Sequence, residues 1–135
     1  MIKIREVREN DFCMLTKLYN DFENENIGTY LEYQSDVSTD ENKKIIVAEQ
    51  RNKIVGVIEF CIDDDKIYLE NLIVAQGFRN NGIGSLLLEM VKDHAKDLGI
   101  EKINIKIYYY DGKIVQFYEK NGFYDISKEM CLKIK

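Results

Sequence analysis

The segment that most restricts how this chain can fold is a strand, a glycine-rich loop and an amphipathic helix in direct succession. An apolar strand ends at residues 72–74, and a loop with two glycines fills residues 75–82. Isoleucines alternate with other residues over 103–107, which predicts a further strand. A strand, helix and strand in this order form a right-handed crossover with parallel strands. The helix itself is predicted by apolar residues at helical spacing: Ile83, Leu86, Leu87, Met90, Val91, Ala95 and Leu98.

The remaining segments predict a mixed α/β domain. A first strand near Ile4 precedes a helix over 11–24 that Asn10 or Asp11 caps. The polar residues 26–42 predict a short second helix and a mobile loop. Three further strands are predicted at Lys44–Gln50, Lys53–Ile62 and Lys66–Ala75. A helix is predicted from Asp111 to about Lys120, and the tail Phe123–Lys135 is predicted to hold one or two strands. The predicted order is β-α-α-β-β-β-α-β-α-β in a single domain over residues 1–135.

Charge and composition exclude several classes of protein. The chain carries 19 basic and 24 acidic residues, whereas nucleic-acid binders need a surplus of positive charge. Cys13, Cys61 and Cys131 are widely spaced and there is one histidine, so no metal-ligand spacing exists. The sequence shows no signal-peptide pattern and no apolar run near the roughly 18 residues of a membrane span. We therefore expect a cytoplasmic protein that binds no metal, nucleic acid or membrane.

The loop before the long helix has the composition of a phosphate-binding site. A helix start presents unpaired N–H groups and a partial positive charge, and Arg79 adds a charge suited to phosphate geometry. Two glycines before a helix are also compatible with an ordinary structural turn. A dinucleotide-binding fingerprint would need a third glycine where the chain has Leu87, and a P-loop would need a Gly-Lys-Ser/Thr sequence that is absent.

Two segments together resemble one known family. Arg79-Asn80-Asn81-Gly82-Ile83-Gly84 fits the Q/R-x-x-G-x-G/A signature of the GNAT superfamily, the GCN5-related N-acetyltransferases. Phe117-Tyr118-Glu119-Lys120-Asn121-Gly122-Phe123 is similar to a second segment of that family, "LYEKLGF". The order of elements is also similar, so the resemblance covers essentially the whole chain.

The resemblance implies a mixed sheet that splays between the fourth and fifth strands, with acetyl-CoA in the opening. It implies that the pantetheine arm pairs with the backbone of Leu72, Ile73 and Val74, where a bulge would aim an N–H at the thioester carbonyl. Asp111 stands where the family usually has an asparagine that contacts the cofactor, which puts that contact in doubt. The pyrophosphate would lie on the backbone of Arg79, Asn80, Asn81, Gly82, Ile83, Gly84 and Ser85.

Acetyl transfer to an amine needs an acid for the leaving thiolate and a route for the proton of the amine. The resemblance assigns the acid to Tyr118, and a phenol has an ordinary pKa near 10, just above a thiol near 8.5. Glu70 is the predicted base, because it lies an even number of residues from Leu72 and faces the same side before any bulge. Glu59 on the third strand and a chain of ordered water are the alternatives. His94 lies in the middle of a helix and is expected at the surface or its boundary.

The predicted function is acetyl-CoA-dependent transfer to a primary amine of a small metabolite. Acetylation of a protein N-terminus or lysine and a non-catalytic CoA-binding sensor are the alternatives. Candidates for the acceptor pocket are Glu23, Glu25, Tyr30, Tyr33, Asp36 and the run Tyr108–Tyr110, which can equally be a solvated run of charges and aromatic residues on an edge strand. The sequence leaves the oligomeric state open, a homodimer included.

Overall fold

The computed structural model describes residues 1–25, 42–107 and 112–135. Within these ranges five strands form one sheet, in which neighbouring strands follow one another in chain order. The first four strands run antiparallel to one another in succession, whereas the fifth is parallel to the fourth, as the crossover predicts. The elements are β1 Lys3–Glu6, α1 Phe12–Glu25, β2 Lys43–Gln50, β3 Lys53–Asp63, β4 Lys66–Val74, α2 Ile83–Leu98, β5 Lys102–Ile105 and α3 Gly112–Lys120.

A tight hairpin joins β2 to β3. Arg51 and Asn52 have φ angles of 51° and 64°. Positive φ at both central residues is what a type I′ turn requires, and this turn matches the twist of the strands. The predicted hairpin at these two residues is confirmed.

Helices cover both faces of the sheet and enclose two hydrophobic clusters. The cluster under α1 includes Leu15, Leu18, Val57 and Ile73. The larger cluster lies under α2 and α3 and is made of alternate strand residues together with the apolar stripes of the helices. No helix among the residues that the structure describes is long and apolar enough to cross a membrane.

The sheet opens between β4 and β5. Residues Lys66–Leu69 of β4 pair with Lys102–Ile105 of β5, and the second half of β4 has no pairing with β5. The predicted splay between the fourth and fifth strands is therefore present. It leaves backbone groups of β4 facing an opening rather than a neighbouring strand.

The structure differs from the sequence prediction in the C-terminal tail. Residues 123–135 form neither helix nor strand, although one or two strands were expected there. Apolar alternation supplies the pattern of a strand, but a strand exists only where its backbone groups have a ladder partner. The short helix predicted within 26–42 falls almost entirely outside the described residues.

Candidate active site

The opening between β4 and β5 is a cleft with a volume of about 1220 Å³. The start of α2 and the inner side of α3 complete its walls. It brings together Glu70, Tyr118 and most of the residues predicted to bind the cofactor: Leu72, Ile73, Val74, Arg79, Asn80, Gly82, Ile83, Gly84 and Ser85. Asn81 is not part of this lining, and Asp111 lies outside the described residues.

The start of α2 presents unused backbone donors at the edge of the cleft. Gly82 caps the helix with φ 82°, and no side chain caps it. The first helical bond runs from the Leu86 N–H to the Gly82 carbonyl, at 3.0 Å. The N–H groups of the three residues between them precede the helical ladder and are available to an anion. This local structure fits the pyrophosphate of CoA.

The two glycines of the motif have different roles. Gly82 supplies the left-handed φ of the cap, and a Cβ there would meet no atom within 4 Å. Gly84 instead lets α2 approach α3, because a Cβ there would lie 3.2 Å from the Phe117 ring. The second glycine of the signature thus serves the packing of α2 against α3.

The register of β4 determines which backbone groups face the cleft. The Ala75 N–H donates to the Val55 carbonyl at 2.8 Å. Ile73, two residues before Ala75, pairs with Val57. Hydrogen-bonded pairs alternate in an antiparallel ladder, so the peptide groups of Ile73 face β3. Those of Leu72 and Val74 face the cleft. Only two of the three residues expected to pair with the pantetheine arm therefore offer it backbone groups.

A β-bulge in β4 changes the direction of Glu70. Glu59 pairs with Asn71 and Phe60 with Leu69, so Glu70 is the extra residue on β4. The bulge therefore lies before the three residues where it was expected. It also breaks the even spacing that placed Glu70 on the same face as Leu72.

Contacts confirm that Glu70 and Leu72 lie on opposite faces of the sheet. Leu72 packs on the cluster under α2. The Glu70 carboxylate lies 2.8 Å from the Lys43 ammonium and 2.6 Å from the Cys61 thiol sulfur. Its side chain remains 33% exposed and reaches the cleft rim. A carboxylate in this position can accept a proton from a group in the cleft.

The alternative base, Glu59, is enclosed in the core and does not line the cleft. Its side chain is 0% exposed and lies 3.1 Å from the Lys43 ammonium. The Tyr19 hydroxyl and the Asn71 amide both donate hydrogen bonds to its Oε2 atom. A carboxylate with these partners has a structural role: it holds α1, β2, β3 and β4 together. Of the two glutamates, Glu70 alone lines the cleft.

Lys43 connects the two glutamates. Burial lowers the pKa of Lys43, but hydrogen bonds and charge interactions with Glu70 and Glu59 outweigh it and raise the pKa above its ordinary value. Lys43 is therefore a fixed positive charge between two carboxylates. Sequence reasoning did not single it out, because a lysine at the start of a strand has no local signal for burial.

Tyr118 lies on α3 at the floor of the cleft. Its residue is 6% exposed, and its ring packs edge-on against Phe117 and Phe123 at centroid distances of 5.1 and 5.3 Å. The two rings restrict the orientation of the Tyr118 ring, which also lines the cleft. A group held in this way can donate a proton at a defined point of the cleft.

Three lysines of the cleft were also missed by the sequence reasoning. Lys106 follows β5, and Lys113 and Lys120 lie seven residues apart on α3, which places them on one face of that helix. The spacing of seven residues between Lys113 and Lys120, on the helix that leads into the second motif, was the signal in the sequence that could have identified them. These cations give a basic cleft to a chain whose net charge is -5. A basic cleft suits a ligand with several phosphates.

Within the described residues no cluster of histidine, cysteine, aspartate or glutamate could hold a metal ion. The cleft therefore offers backbone N–H groups, cationic side chains, a carboxylate and a phenol. This set is suited to binding a polyanion and moving protons.

Comparison with known protein families identifies the class of protein to which this cleft belongs. The model of the acetyltransferase (GNAT) family matches residues 10–123. The chain belongs to this family, whose members are acetyltransferases that use acetyl-CoA.

Solved structures support the fold over nearly the whole chain. The PaiA N-acetyltransferase of Thermoplasma acidophilum, solved with coenzyme A, is 20% identical with a TM-score of 0.82, over 96% of this chain and 93% of that one. An aminoglycoside acetyltransferase from an uncultured soil metagenomic sample, solved with sisomicin, is 20% identical with a TM-score of 0.76, over 99% and 97%. Glucosamine-6-phosphate N-acetyltransferase of Arabidopsis thaliana is 18% identical with a TM-score of 0.73, over 100% and 99%.

Proposed function

We propose that this protein transfers the acetyl group of acetyl-CoA to a primary amine of a small metabolite by direct attack on the thioester. The observation that carries the proposal is the convergence of four kinds of group on one cleft. They are the N–H groups at the start of α2, the part of the β4 backbone that does not pair with β5, the Glu70 carboxylate and the Tyr118 side chain. Acetyl-CoA, when bound, supplies the activated acetyl group.

The end of the cleft at the start of α2 would bind the phosphates of acetyl-CoA. The backbone of Arg79, Asn80, Asn81, Gly82, Ile83, Gly84 and Ser85 forms the loop and first turn that would receive the pyrophosphate. Lys113 and Lys120 lie across the cleft on α3, where a ligand that carries a further phosphate gains a second cationic contact. Asp111 precedes α3 and stays a candidate contact outside the described residues.

The middle of the cleft would orient the thioester. The backbone groups of Leu72 and Val74 face the opening and can pair with an extended, amide-containing chain as a further strand would. The Leu72 N–H is close to the bulge and is our candidate donor to the thioester carbonyl. Removal of a single donor of this kind typically lowers the rate about 10²- to 10³-fold.

Two side chains would handle the protons. Glu70, held by Lys43 at 2.8 Å, would accept a proton from the attacking amine directly or through water. Tyr118 would donate one to the leaving thiolate from the opposite wall. The acid and the base are thus on separate elements, β4 and α3, and the acetyl group would lie between them.

A small amine is the preferred acceptor because relatives of similar length are named for small-molecule substrates. Glucosamine-6-phosphate and an aminoglycoside appear in the names of two neighbours that this chain covers over 99% and 97% of their lengths. The carboxylate of Glu70 at the rim suits a cationic amine.

The test is CoA release in a panel of amines that contains amino sugars, polyamines, amino acids and short peptides. Cys13 and Cys131 are exposed, so thiol release must be read against the protein without amine. Release with a small amine supports the proposal. Release with peptides alone would identify a protein acetyltransferase, and CoA binding without release would identify a sensor. Failure to bind CoA would overturn the proposal altogether.

A further inference from the structure

Lys106 lies at the point where the sheet begins to open. Leu69 and Ile105 are the last paired residues of β4 and β5, so Glu70 and Lys106 are the first residues that the opening separates. Paired strands lie about 4.8 Å apart, which keeps the two backbones close at this point. Both residues line the cleft. A carboxylate and an ammonium group therefore lie on opposite walls at the narrow end of the cleft.

Glu70 and Lys106 belong to the same face of the sheet. Ile105 packs on the cluster under α2, so alternation along the strand places Lys106 on the face that α1 covers. Glu70 lies on that face too, opposite to the face of Leu72. Phe22 of α1 also lines the cleft. The part of the cleft under α1 thus combines two opposite charges with an aromatic ring.

The negative charge of Glu70 is already balanced by a different lysine. Its carboxylate lies 2.8 Å from the ammonium of Lys43, a buried side chain that is 4% exposed. Lys106, in contrast, is exposed in the cleft and has no ion-pair partner among the residues that the structure describes. The Lys106 ammonium is therefore available to a negative charge on a ligand.

The phosphates of CoA would lie at the other end of the cleft. Val74, the last residue of β4, is four residues beyond Glu70, which corresponds to roughly 13 Å along an extended strand. The loop and the start of α2 that would receive the pyrophosphate come after Val74. Lys113 and Lys120 of α3 serve the same ligand in the proposed function. Lys106 is thus the cleft lysine that the binding of the cofactor leaves without a role.

We propose that the acceptor carries an anion close to its primary amine, and that Lys106 binds this anion while Glu70 faces the amine. The inference rests on the proposed function of the cleft and narrows it to amines with a carboxylate or a phosphate group. An ammonium group binds either anion as a compact positive charge with three donors. The amine of a protein N-terminus or lysine is flanked by neutral peptide groups, so it would lack this contact.

Matched pairs of amines test the inference by calorimetric titration of the protein in the presence of saturating CoA, where binding is read without turnover. L-Alanine is compared with L-alaninamide, O-phosphoethanolamine with ethanolamine, and glucosamine-6-phosphate with glucosamine. The first pair tests a carboxylate and the other two test a phosphate. We expect at least one anionic member to bind about 10-fold or more tightly than its neutral counterpart, because it gains a charge-assisted contact.

Lys106→Gln should remove this preference. It should lower the affinity for the anionic member about 10-fold and leave that for the neutral member within about 2-fold, because only the first loses a charged contact. Lys102→Gln is the matched control and should keep the preference. Lys102 is exposed on the same strand, four residues earlier and hence on the same face, but it is not part of the cleft lining. The affinity for CoA should be unchanged in both variants.

CoA release from acetyl-CoA, measured with the same pairs, separates this inference from the proposed function. Tighter binding of an anionic member without release by any amine would support the anion site at Lys106 and overturn the proposed transfer. Release with the neutral amines and no preference for an anionic member would support the transfer and overturn the inference. A preference that persists in Lys106→Gln, or no binding of any member, would overturn the inference as well.

Discussion

The Arg79 guanidinium lies 2.7 Å from the Glu25 carboxylate, although 54 residues separate them in sequence. Its Nε atom also donates to the Val74 carbonyl at 2.8 Å. The arginine of the phosphate-binding motif thus has an internal anion as partner and occupies one of the backbone acceptors that face the cleft. A phosphate ligand would compete with Glu25 for this charge.

This competition predicts opposite effects for two substitutions on CoA affinity. Arg79→Ala should weaken CoA binding about 10-fold or more, because a charge-assisted contact to phosphate is lost. Glu25→Gln should tighten it about 2- to 5-fold, since it removes a partly exposed ion pair that ordinarily contributes little. Calorimetric titration with CoA measures both. If both variants bound CoA with the affinity of the wild-type protein, the Arg79 side chain would take no part in binding.

Tyr118→Phe should lower kcat about 10²- to 10⁴-fold without a change in CoA affinity. The phenylalanine ring keeps the packing against Phe117 and Phe123, so the free energy of unfolding should change little. Tyr124→Phe, on a side chain that is 81% exposed, is the matched control and should keep full activity. A Tyr118→Phe enzyme with wild-type turnover would exclude the phenol as the acid.

Glu70→Gln should lower kcat/KM about 10²-fold or more near neutral pH, because the proton acceptor is lost. The deficit should narrow as pH rises, since a larger share of the amine is then already unprotonated. Glu101→Gln, at an exposed position before β5, serves as the control. A loss of activity that is constant across pH and parallels a loss of stability would mean that Glu70 acts only through the ion pair with Lys43.

Gly56→Ala should lower the free energy of unfolding by about 1–3 kcal/mol through overpacking. A Cβ there would lie 3.2 Å from Ile83 Cγ2 and 3.3 Å from Leu87 Cδ1, so α2 would have to move away from β3. Gly112→Ala is the control, because a Cβ at that helix start meets no atom within 4 Å. Urea denaturation measures both, and equal effects would contradict the packing argument.

Acid should weaken the attachment of β1 to the start of α1. Hydrogen bonds from Arg5 hold the pKa of the Asp11 carboxyl below its ordinary value, despite burial. A group with a depressed folded pKa stabilises the protein above its unfolded pKa, near 4, and loses this contribution as pH falls through the folded value. Asp11→Asn should therefore cost roughly 1–3 kcal/mol at pH 7 and much less near pH 2.

Urea denaturation at the two pH values checks this dependence. Asp21→Asn is the control, because its ion pair with Lys17 is exposed and should contribute little at either pH. If Asp11→Asn had the same effect at both pH values, the Arg5 pair would not be the source of the stabilisation.

Local patterns in the sequence determined most of the fold. The strand, glycine-rich loop and helix around Gly82 and the isoleucine alternation after α2 each depend on residues a few positions apart. Spacings of two and of three to four residues, and turn residues such as Asn52, follow directly from backbone geometry. These patterns predicted the crossover, the hairpin and the position of the glycine-rich loop before α2.

Only the tertiary structure decided how distant residues meet. The single extra residue in β4 turned Glu70 away from the face of Leu72, and no spacing rule reveals where a bulge falls. The ion pairs of Lys43 and the contact between Arg79 and Glu25 join elements far apart in sequence, and their geometry depends on strand register and helix packing. The tail shows the same limit, because its alternation predicts a strand whereas residues 123–135 form none in the structure.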